Sequence, residues 1–453
     1  MNRPRVVIVG GGFGGLYAAR ALANAPVEVT VVDRTNHHVF QPLLYQVATA
    51  TLSPTDIATP IRWLLRAQRN TEVVLGEATE IVPDEHIVKL ANGRAIAYDY
   101  LIVAAGARHS YFGHAEWEAR APGLKTVEDA IELRRRWLLA FERAEQATDA
   151  AEREANLTFV IVGGGPTGVE LAGMLPTIAR FALPKDFRHI DPSAARVLLI
   201  EGGPRLLPAF PEDLSAHAES DLRDLGVEVR TSTMVSNVGD GFVDAGGERI
   251  AARTIFWAAG NAAAPLGAML GAPLDRMGRV HVGEDLSVAG HPEIFVVGDL
   301  AVLESKRKPV PGVAPAAMQS GRTAARNIIH TIAGEGRERF KYRNKGDLAT
   351  IGRYRAVGVL AGRHLSGALA WWTWLLVHIM YLAGFRNRLS VLLEWGYSFF
   401  TYERGARLIT ADRPAPVERP PEMLPNGSIG RPWEGEIAPS MTASSHDLPP
   451  PAL

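Results

Sequence analysis

Apolar residues along this chain fall into short runs broken by glycine, and two segments repeat one order of elements. In RVVIVGGGFGGLYAARAL and in LTFVIVGGGPTGVELAGML, an apolar, β-branched run meets a glycine cluster and then a helix-like stretch with small residues. Each segment continues with a strand-like run that ends in an acid, and each closes with an apolar run into Ala-Ala-Gly. The matching order predicts two duplicated α/β units.

A third apolar run, HPEIFVVGDLA at 291–301, precedes the helix-like PAAMQSGRTAARNIIH. We expect both elements to return to the first unit, so that the second unit is inserted in the first. Strand-like KGDLATIGRYRAVGVLAG and the apolar LAWWTWLLVHIMYLAGF follow. The predicted domains are 1–118 with 281–335, 119–280, a C-terminal domain at 336–411, and a proline-rich tail at 412–453 that we expect to be disordered.

Composition excludes several classes of function. The 453 residues suffice for two or three domains with cores of their own, and a formal net charge of −1 gives no global basic field for nucleic acid. The chain has no cysteine, which excludes disulfides, cysteine-ligated metals and a thiol relay within it, and we assign no metal site. Its beginning, MNRPRVVIVG, lacks the pattern of a signal peptide, so the expected location is cytoplasmic.

The first glycine cluster fits the fingerprint G-x-G-x-x-G of a dinucleotide site. Gly10 permits the tight turn, Gly12 lets the backbone approach a pyrophosphate, and Gly15 lets the helix pack closely on the strand. Asp33 follows about 20 residues later, where an acid holds a ribose. The alternative is a tight strand–helix turn without a ligand.

The second cluster repeats the fingerprint with Gly163, Gly165 and Gly168. Glu201, which ends the next strand-like run, can accept both ribose hydroxyls and repels a 2′-phosphate, so we expect NADH to be preferred over NADPH. Arg205 is close enough in sequence to soften that preference, and Glu201 has the alternative interpretation of an acid that merely ends a strand. Two dinucleotide sites predict hydride transfer from a nicotinamide on the inserted unit to FAD on the N-terminal unit.

Longer stretches resemble one known family. They are DRTNHHVFQPLLYQVATATLSPTDIATPIRWLLR at 33–66, HSYFGHAEW at 109–117, APGLKTVEDA at 121–130, GGGPTGVELAG at 163–173 and RNRLSVLLEWGYSFF at 386–400. The chain, over roughly residues 4 to 411, resembles the type II NADH dehydrogenases. These are non-proton-pumping NADH:quinone oxidoreductases of the two-dinucleotide-binding flavoprotein superfamily.

The resemblance implies roles for particular residues. Asp299 would contact the flavin ribityl chain, Pro42 and Leu43 would lie near the isoalloxazine, and Glu170 would lie near the contact of nicotinamide and flavin. Glu170 has the alternative role of an acid favoured by the helix dipole. The remaining residues assigned to the two cofactors are Phe13, Gly14, Arg34, Ala105, Gly106 and Gly298 for FAD, and Ala259 and Gly260 for NADH.

One motif departs from the family. Where the family often has A-Q-x-A-x-Q-x-G beside the quinone, residues 314–321 read APAAMQSG, so that Gln319 fits the second glutamine and Pro315 replaces the first. Gln319 is the candidate for contact with the quinone. Its alternative is an ordinary helix residue, and the type of quinone, ubiquinone or menaquinone, stays open.

The apolar segment at 369–385 contains Trp371, Trp372 and Trp374, and His378 is its only residue that can carry a charge near neutral pH. With the two residues before it, GALAWWTWLLVHIMYLAGF at 367–385 barely reaches the length of about 20 residues that a transmembrane helix needs, and arginines and aromatic residues follow it. We interpret it as a monotopic anchor on the cytoplasmic face of the inner (cell) membrane, where a quinone dissolves. The alternatives are a buried core helix and the interface of a homodimer.

The predicted fold class is therefore α/β, with two Rossmann-like dinucleotide-binding domains, the second inserted in the first, and a C-terminal membrane-associating helical segment. The predicted function is NADH:quinone oxidoreduction through FAD. One alternative is a soluble NADH-dependent flavoprotein that donates electrons to a protein such as a ferredoxin. Sulfide:quinone reductase chemistry uses cysteines, which this chain lacks, and a redox sensor or scaffold is the non-enzymatic alternative.

Overall fold

The computed structural model describes residues 3–306, 308–401 and 406–410. Within these ranges the α-helices, numbered α1 to α11 in chain order, are Phe13–Ala21, Leu44–Ala48, Pro54–Ile57, Ile61–Leu65, Val127–Gln146, Ala150–Asn156, Pro166–Phe181, Glu212–Asp224, Ala314–Ile332, Gly367–Tyr381 and Phe385–Thr401. Short 3₁₀ helices lie at Gln41–Leu43, Pro83–Glu85, Ala115–Trp117, Pro192–Ala194, Pro265–Leu270 and Gly298–Leu300.

The first sheet contains strands from both ends of the inserted segment. Its order is Ser287–Val288, His291–Val296, Tyr100–Val103, Arg5–Val9, Glu28–Asp33 and Thr71–Leu75. All neighbours pair in parallel except Ser287–Val288, which is antiparallel to its partner. The strand at 291–296 thus joins a sheet whose other long strands come from residues 5–103, which confirms that the second unit is inserted in the first.

The second sheet is built entirely from the inserted unit. Its parallel strands occur in the order Val227–Arg230, Arg196–Ile200, Thr158–Val162 and Thr254–Trp257. The central strand Thr158–Val162 is buried along its whole length, as expected for a parallel sheet covered by helices on both faces. Together the two sheets confirm the predicted α/β fold class with two Rossmann-like domains.

Smaller sheets complete the described structure, and all of them are antiparallel except the pair Val280–His281 with Ala301–Val302, which is parallel. Three of them have three strands: Ala78–Val82, Ile87–Leu90 and Ala95–Ala97; Val235–Gly239, Phe242–Ala245 and Glu248–Ala251; and Asp347–Gly352, Arg355–Leu360 and Arg363–Ser366. The two-stranded pairs are His37–Val39 with Ala58–Pro60, Ala107–His109 with Asn261–Ala263, Val280–His281 with Ala301–Val302, and Glu304–Ser305 with Lys308–Pro309.

Helix α9 returns to the first unit by packing closely against α1. A Cβ atom placed on Gly321 of α9 would lie 2.1 Å from the carbonyl oxygen of Gly14 in α1, so the two backbones approach as closely as glycine permits. The hydroxyl of Ser320 accepts a hydrogen bond from the Gly298 N–H at 3.1 Å, which ties the end of the preceding strand to the same helix. These contacts bring the Gly298-Asp299 pair beside the first glycine cluster.

The C-terminal elements pack on the rest of the chain through part of their apolar surface. Trp374 in α10, Leu382 after it and Val391 in α11 are buried in the core that also contains α2 and α5. None of the helices in the described ranges is both long enough and apolar enough to cross a membrane. The predicted tail at 412–453 lies outside the described residues, and the domain boundaries stay predictions.

Candidate active site

The first cavity lies at the carboxyl ends of the first sheet, where open α/β sheets bind their ligands. It has a volume of about 630 Å³ and is lined by residues from the glycine cluster, from the turns after four further strands and from the start of α5. Of the residues predicted to bind FAD, the lining contains Gly10, Gly12, Phe13, Gly14, Arg34, Asp33, Ala105, Gly106, Gly298 and Asp299. Tertiary folding therefore brings together residues that lie up to 289 positions apart in the sequence.

The glycine cluster shows why each glycine has its position. Gly10 has φ +105°, and a Cβ atom on Gly15 would lie 1.8 Å from the Gly10 carbonyl oxygen, so these two glycines permit the turn and the packing of α1. Gly12 caps the N-terminus of α1, and a Cβ atom there would meet no protein atom within 4 Å. The open space at Gly12 is where a phosphate can approach the helix N-terminus. The cavity thus fits a dinucleotide such as FAD.

Asp33 is oriented by backbone groups of the same site. Its Oδ2 accepts a hydrogen bond from the Gly11 N–H at 2.6 Å. Its Oδ1 accepts bonds from the N–H and the hydroxyl of Thr35 at 2.7 and 2.8 Å. The carboxylate therefore has a fixed place beside the cavity, as a ribose-binding acid requires.

His38 lines the same cavity and was missed by the sequence analysis. Its Nδ1 donates to the Gly11 carbonyl oxygen at 3.0 Å, and its ring lies edge-on to Phe13 with 5.0 Å between centroids. Burial lowers the pKa of His38 to about 4, so the imidazole is neutral at physiological pH. The repeated His37-His38 pair after the acid of the first unit is the sequence signal that points to this residue.

The 3₁₀ turn Gln41–Leu43 approaches the cavity through its first residue. Gln41 lines the cavity and its Nε2 donates to the Lys125 carbonyl oxygen at 3.3 Å. Leu43 is completely buried in the core, and neither it nor Pro42 lines the cavity. Their predicted place near the isoalloxazine stays a prediction.

The second cavity occupies the corresponding end of the second sheet and measures about 410 Å³. Its lining contains Gly163, Gly165, Glu201, Ala259 and Gly260, all of which were predicted to bind NADH. Gly168 lies beneath it, where a Cβ atom would be 1.9 Å from the Gly163 carbonyl oxygen. A Cβ atom on Gly165 would meet nothing within 4 Å, so this cluster offers the same open helix N-terminus as the first.

The carboxylate of Glu201 repeats the arrangement of Asp33. It accepts hydrogen bonds from the N–H groups of Gly164 and Gly203, both at 2.6 Å. Arg205, which the sequence placed close to this acid, donates instead to the carbonyls of Phe210 and Pro208 and to the Ser215 hydroxyl. Arg205 does not line the cavity, and its guanidinium is engaged by these other groups.

Two aromatic residues form one side of the second cavity and were also missed. Phe112 is a non-glycine residue at φ +53° with 67% of its surface exposed, and a Cβ atom on Gly260 would lie 2.6 Å from its ring. Trp257 donates from Nε1 to the Ser110 carbonyl oxygen at 2.9 Å. A bulky residue in the left-handed region is a local strain that often marks a functional site.

Lys125 lies close enough to Asp299 of the first cavity for the two groups to interact electrostatically. Lys125 lines both cavities. Burial raises the pKa of Asp299, and the positive charge of Lys125 opposes that rise. Burial lowers the pKa of Lys125, and Asp299 and Asp129 oppose that change. The sequence analysis assigned no role to Lys125, although this residue lies in the family-like stretch APGLKTVEDA at 121–130.

The two residues predicted to be catalytic lie outside both linings. Glu170 is on α7, one helical turn after Pro166 of the second cavity, and burial raises its pKa well above the ordinary value while the Thr350 N–H favours its charged form. Gln319 lies on α9, where its Nε2 donates to the Arg343 carbonyl oxygen at 3.0 Å and its Oε1 accepts from the Arg343 N–H at 2.9 Å. Both polar atoms of the Gln319 amide are thus engaged by the backbone of a following loop.

The C-terminal helices contact the first unit beside its cavity. Trp395 in α11 donates from Nε1 to Gln46 Oε1 at 2.6 Å, and Gln46 donates to the Tyr45 hydroxyl at 2.8 Å. His378 in α10 donates from Nδ1 to the Trp374 carbonyl oxygen at 2.7 Å, and burial lowers the pKa of His378 to about 4. The ring of His378 lies 6.1 Å from that of Phe40. A neutral, largely apolar region therefore joins α2 to α10 and α11.

Two parallel sheets, each with a glycine turn, an acid and a cavity at its carboxyl end, define a flavoprotein oxidoreductase with two dinucleotide sites. Residues 4–321 match the family described as pyridine nucleotide-disulphide oxidoreductase. The type II NADH:quinone oxidoreductase NdhA of Mycobacterium tuberculosis is 47% identical over 427 residues, which cover 90% of each chain. The chain belongs to the type II NADH:quinone oxidoreductases of that family, which confirms the resemblance seen in the sequence.

Solved structures show the same fold at low identity. NDH2 from Plasmodium falciparum in complex with NADH superimposes with a TM-score of 0.81 at 20% identity, over 90% of this chain and 100% of that one. The sulfide:quinone oxidoreductase of Aquifex aeolicus gives a TM-score of 0.69 at 21% identity, over 85% and 92% of the two chains.

Proposed function

We propose that this protein oxidises NADH and passes the electrons through FAD to a quinone. The observation that carries the proposal is the meeting of the two dinucleotide cavities at Lys125, because hydride transfer requires the two cofactors to be in contact. The relatives carry the name type II NADH:quinone oxidoreductase, and FAD and NADH are the cofactors of this chain. The protein is an enzyme, and transfer to a ferredoxin is the less favoured alternative.

The residues of the first cavity hold FAD, which when bound supplies a ring that accepts a hydride and passes electrons on. Gly12 and the N-terminus of α1 receive its pyrophosphate, and Asp33 accepts hydrogen bonds from its ribose. Asp299, next to Gly298 after the strand His291–Val296, lines the same cavity and is the candidate for the ribityl hydroxyls.

The residues of the second cavity hold NADH by the same means. The open N-terminus of α7 at Gly165 receives the pyrophosphate, and Glu201 accepts from the adenosine ribose. Glu170 retains its proton to a higher pH than an exposed glutamate, so it is a candidate proton source near the nicotinamide contact. Contact between Gln319 and the quinone stays a prediction, because its amide is engaged by Arg343.

We also infer that α10 and α11 attach the protein to a lipid surface. Large apolar side chains are exposed on both helices, and in α10 they recur at a spacing that places them on one face. They are Leu369, Trp372, Leu376 and Met380 in α10 and Leu389, Leu392, Leu393 and Tyr397 in α11. The occupant that fits best is a bilayer, since tryptophan and tyrosine favour its interface and a quinone is dissolved in it.

The chemistry of the substrates indicates which side of the membrane is used. NADH is a cytoplasmic metabolite, so we place the protein on the cytoplasmic face of the inner (cell) membrane. The opposing interpretation of the same apolar face is a homodimer interface. Measurement of the mass of the purified protein by light scattering, with and without vesicles, distinguishes a lipid-bound monomer from a dimer that no longer binds vesicles.

Steady-state assays with a panel of electron acceptors test the proposed function. The purified protein should be yellow, release FAD on denaturation, and oxidise NADH with ubiquinone and menaquinone analogues far faster than with a ferredoxin. Gly165→Val should abolish NADH oxidation without removing FAD, because its side chain would occupy the open helix N-terminus of the second cavity. Faster turnover with ferredoxin than with any quinone would favour the alternative.

A further inference from the structure

Lys125 occupies a unique position among the described residues: it is the only residue that lines both cavities. It follows Leu124, which lines the second cavity, and precedes Thr126 and Val127, which line the first. The chain therefore crosses from one site to the other at this lysine. Any group that its side chain contacts lies where the two cofactors meet.

The backbone of Lys125 is held in place on both sides. Its N–H donates to Asp129 Oδ2 at 2.9 Å, and its carbonyl oxygen accepts from Gln41 Nε2 at 3.3 Å. Thr126 caps α5 through a bond from the Asp129 N–H at 3.1 Å, and the Thr126 N–H donates back to the Asp129 carboxylate at 2.9 Å. This reciprocal capping box fixes the start of α5, so the origin of the lysine side chain is well defined.

The ammonium group of Lys125 is available to bind a ligand. It has neither a hydrogen bond nor an ion pair within 4.0 Å among the residues that the structure describes, although Asp299 and Asp129 act on it at longer range. Burial lowers its pKa, and those two carboxylates favour its charged form. A half-buried lysine without a direct partner is costly unless a ligand supplies the acceptor.

We propose that Lys125 places its ammonium group against the flavin at the nicotinamide contact and stabilises the negative charge that the flavin gains on reduction. The hydride that leaves NADH carries two electrons and one proton to the flavin ring. That transfer leaves NAD⁺ in the second cavity and adds one negative charge in the first. A fixed cation at the junction favours the charged product and so favours hydride transfer in the direction of flavin reduction.

This role of Lys125 rests on the proposed function. Sulfite provides a test of it that needs neither NADH nor quinone. Sulfite donates its electron pair to flavin N5, forms an S–N bond and leaves an additional negative charge on the ring. A cation beside the ring strengthens sulfite binding, which is measured by loss of the visible flavin absorption. Lys125→Met retains most of the side-chain length without the charge, and Lys125→Arg retains a charge.

The expected result is a rise of at least tenfold in the sulfite Kd of Lys125→Met, which corresponds to about 1.4 kcal/mol. The sulfite Kd of Lys125→Arg should stay within about threefold of the Kd of the wild type. Lys89→Met is the matched control, because Lys89 is a partly exposed residue paired with Glu80 and lines neither cavity. The midpoint potential of the flavin should fall in Lys125→Met by about 30 mV for each tenfold change in the two-electron equilibrium.

Several outcomes would overturn the inference. The first is an unchanged sulfite Kd and an unchanged flavin potential in a Lys125→Met protein that has its full FAD content. The second is loss of FAD from both Lys125 variants, which would make Lys125 a structural residue. Loss of FAD from Lys125→Met alone supports a charge at the flavin. Anaerobic mixing of the wild type with NADH tests the proposed function separately: a flavin that NADH does not reduce refutes that function, whatever sulfite shows.

Discussion

At the scale of single residues, Asp33 and Glu201 make the same contact with a backbone N–H in the two units. Each carboxylate accepts a hydrogen bond of 2.6 Å from the second glycine of its own cluster, Gly11 or Gly164. The acid predicted to bind a ribose thereby also orients the turn predicted to bind the pyrophosphate. Charge-assisted bonds of this kind are short and strong, so the two halves of each nucleotide site are coupled.

The first prediction concerns Gly12, whose Cβ position is open. Gly12→Val should fold, because a Cβ atom there meets no protein atom within 4 Å, but its side chain would occupy the approach to the pyrophosphate. We expect a colourless protein with a circular dichroism spectrum like that of the apoprotein. Gly15→Val is the contrasting variant, since its Cβ atom would lie 1.8 Å from the Gly10 carbonyl oxygen and should prevent folding. Full FAD occupancy in Gly12→Val would place the flavin elsewhere.

The second prediction concerns the choice of nicotinamide. Glu201 repels a 2′-phosphate, so kcat/KM for NADH should exceed that for NADPH by one to three decades, at about 1.4 kcal/mol per decade. Glu201→Gln removes the charge and should reduce this preference by about tenfold. Some activity with NADH should also be lost, because a glutamine has a single acceptor oxygen and can accept from only one of the Gly164 and Gly203 N–H groups. Equal efficiencies for the two nucleotides in the wild type would refute the role of Glu201.

The third prediction separates two roles of Gln319. Gln319→Leu loses both bonds to the Arg343 backbone and should lower the free energy of unfolding by about 1 kcal/mol, measured by urea denaturation. If the amide also contacts quinone, KM for quinone rises while flavin reduction by NADH in a stopped-flow half-reaction stays near that of the wild type. A parallel fall in both half-reactions would assign Gln319 to the loop or to the flavin site.

At the scale of elements, α11 is joined to the first unit by polar contacts between residues far apart in sequence. Trp395 binds Gln46, Ser390 donates to Asp56 at 2.7 Å, and Asn387 donates to Thr59 at 3.1 Å. The partners belong to α2, to α3 and to the strand Ala58–Pro60, so one face of α11 follows the segment 46–59. These contacts dock the C-terminal helices beside the flavin cavity rather than leaving them as an appended tail.

The fourth prediction tests this docking. Trp395→Phe keeps an aromatic ring but leaves the buried Gln46 Oε1 without its 2.6 Å donor, which should cost about 1 to 3 kcal/mol in the free energy of unfolding. Trp372→Phe is the matched control, because Trp372 is more than half exposed and should change stability by less than about 0.5 kcal/mol. Equal urea midpoints for the two variants would show that the Gln46 bond does not contribute to docking.

At the scale of the whole molecule, the C-terminal helices α10 and α11 have some side chains buried in the protein core and others exposed at the surface. Trp374, Leu382 and Val391 are buried, whereas Leu369 and Leu376 are exposed on α10. Deletion from Leu365 onward would therefore release the protein from membranes and also uncover part of the core. A substitution confined to the exposed face separates attachment from folding.

The fifth prediction uses such a variant. Replacement of Leu369, Leu376 and Met380 by glutamate should abolish flotation with vesicles and lower activity with long-tailed quinones, while NADH oxidation with ferricyanide stays near that of the wild type. The control replaces Met234, Leu274 and Met277, which are exposed apolar residues outside α10 and α11, by glutamate. Vesicle binding by the folded α10 variant would contradict attachment through this face.

Much of the fold was readable from the sequence because its signals are local. A β-branched run, a glycine cluster and an acid about 20 residues on each act within one strand–turn–helix unit, so Gly10, Gly12 and Asp33 could be assigned before any contact was known. The return of the strand at 291–296 to the first sheet was also predicted, since its pattern of an apolar run into Gly298-Asp299 belongs to the first unit. Family resemblance, not spacing, supplied the quinone and the expected role of Asp299.

The sequence by itself thus determined two dinucleotide units, their nesting and the absence of cysteine chemistry, because strand period, glycine spacing and composition do not depend on distant partners. Only the tertiary structure decided that the two cavities meet at Lys125, that Arg343 engages the amide of Gln319, and that Trp395 reaches Gln46 across 349 positions. Such contacts depend on how sheets and helices pack in space, and packing pairs side chains that no local pattern connects.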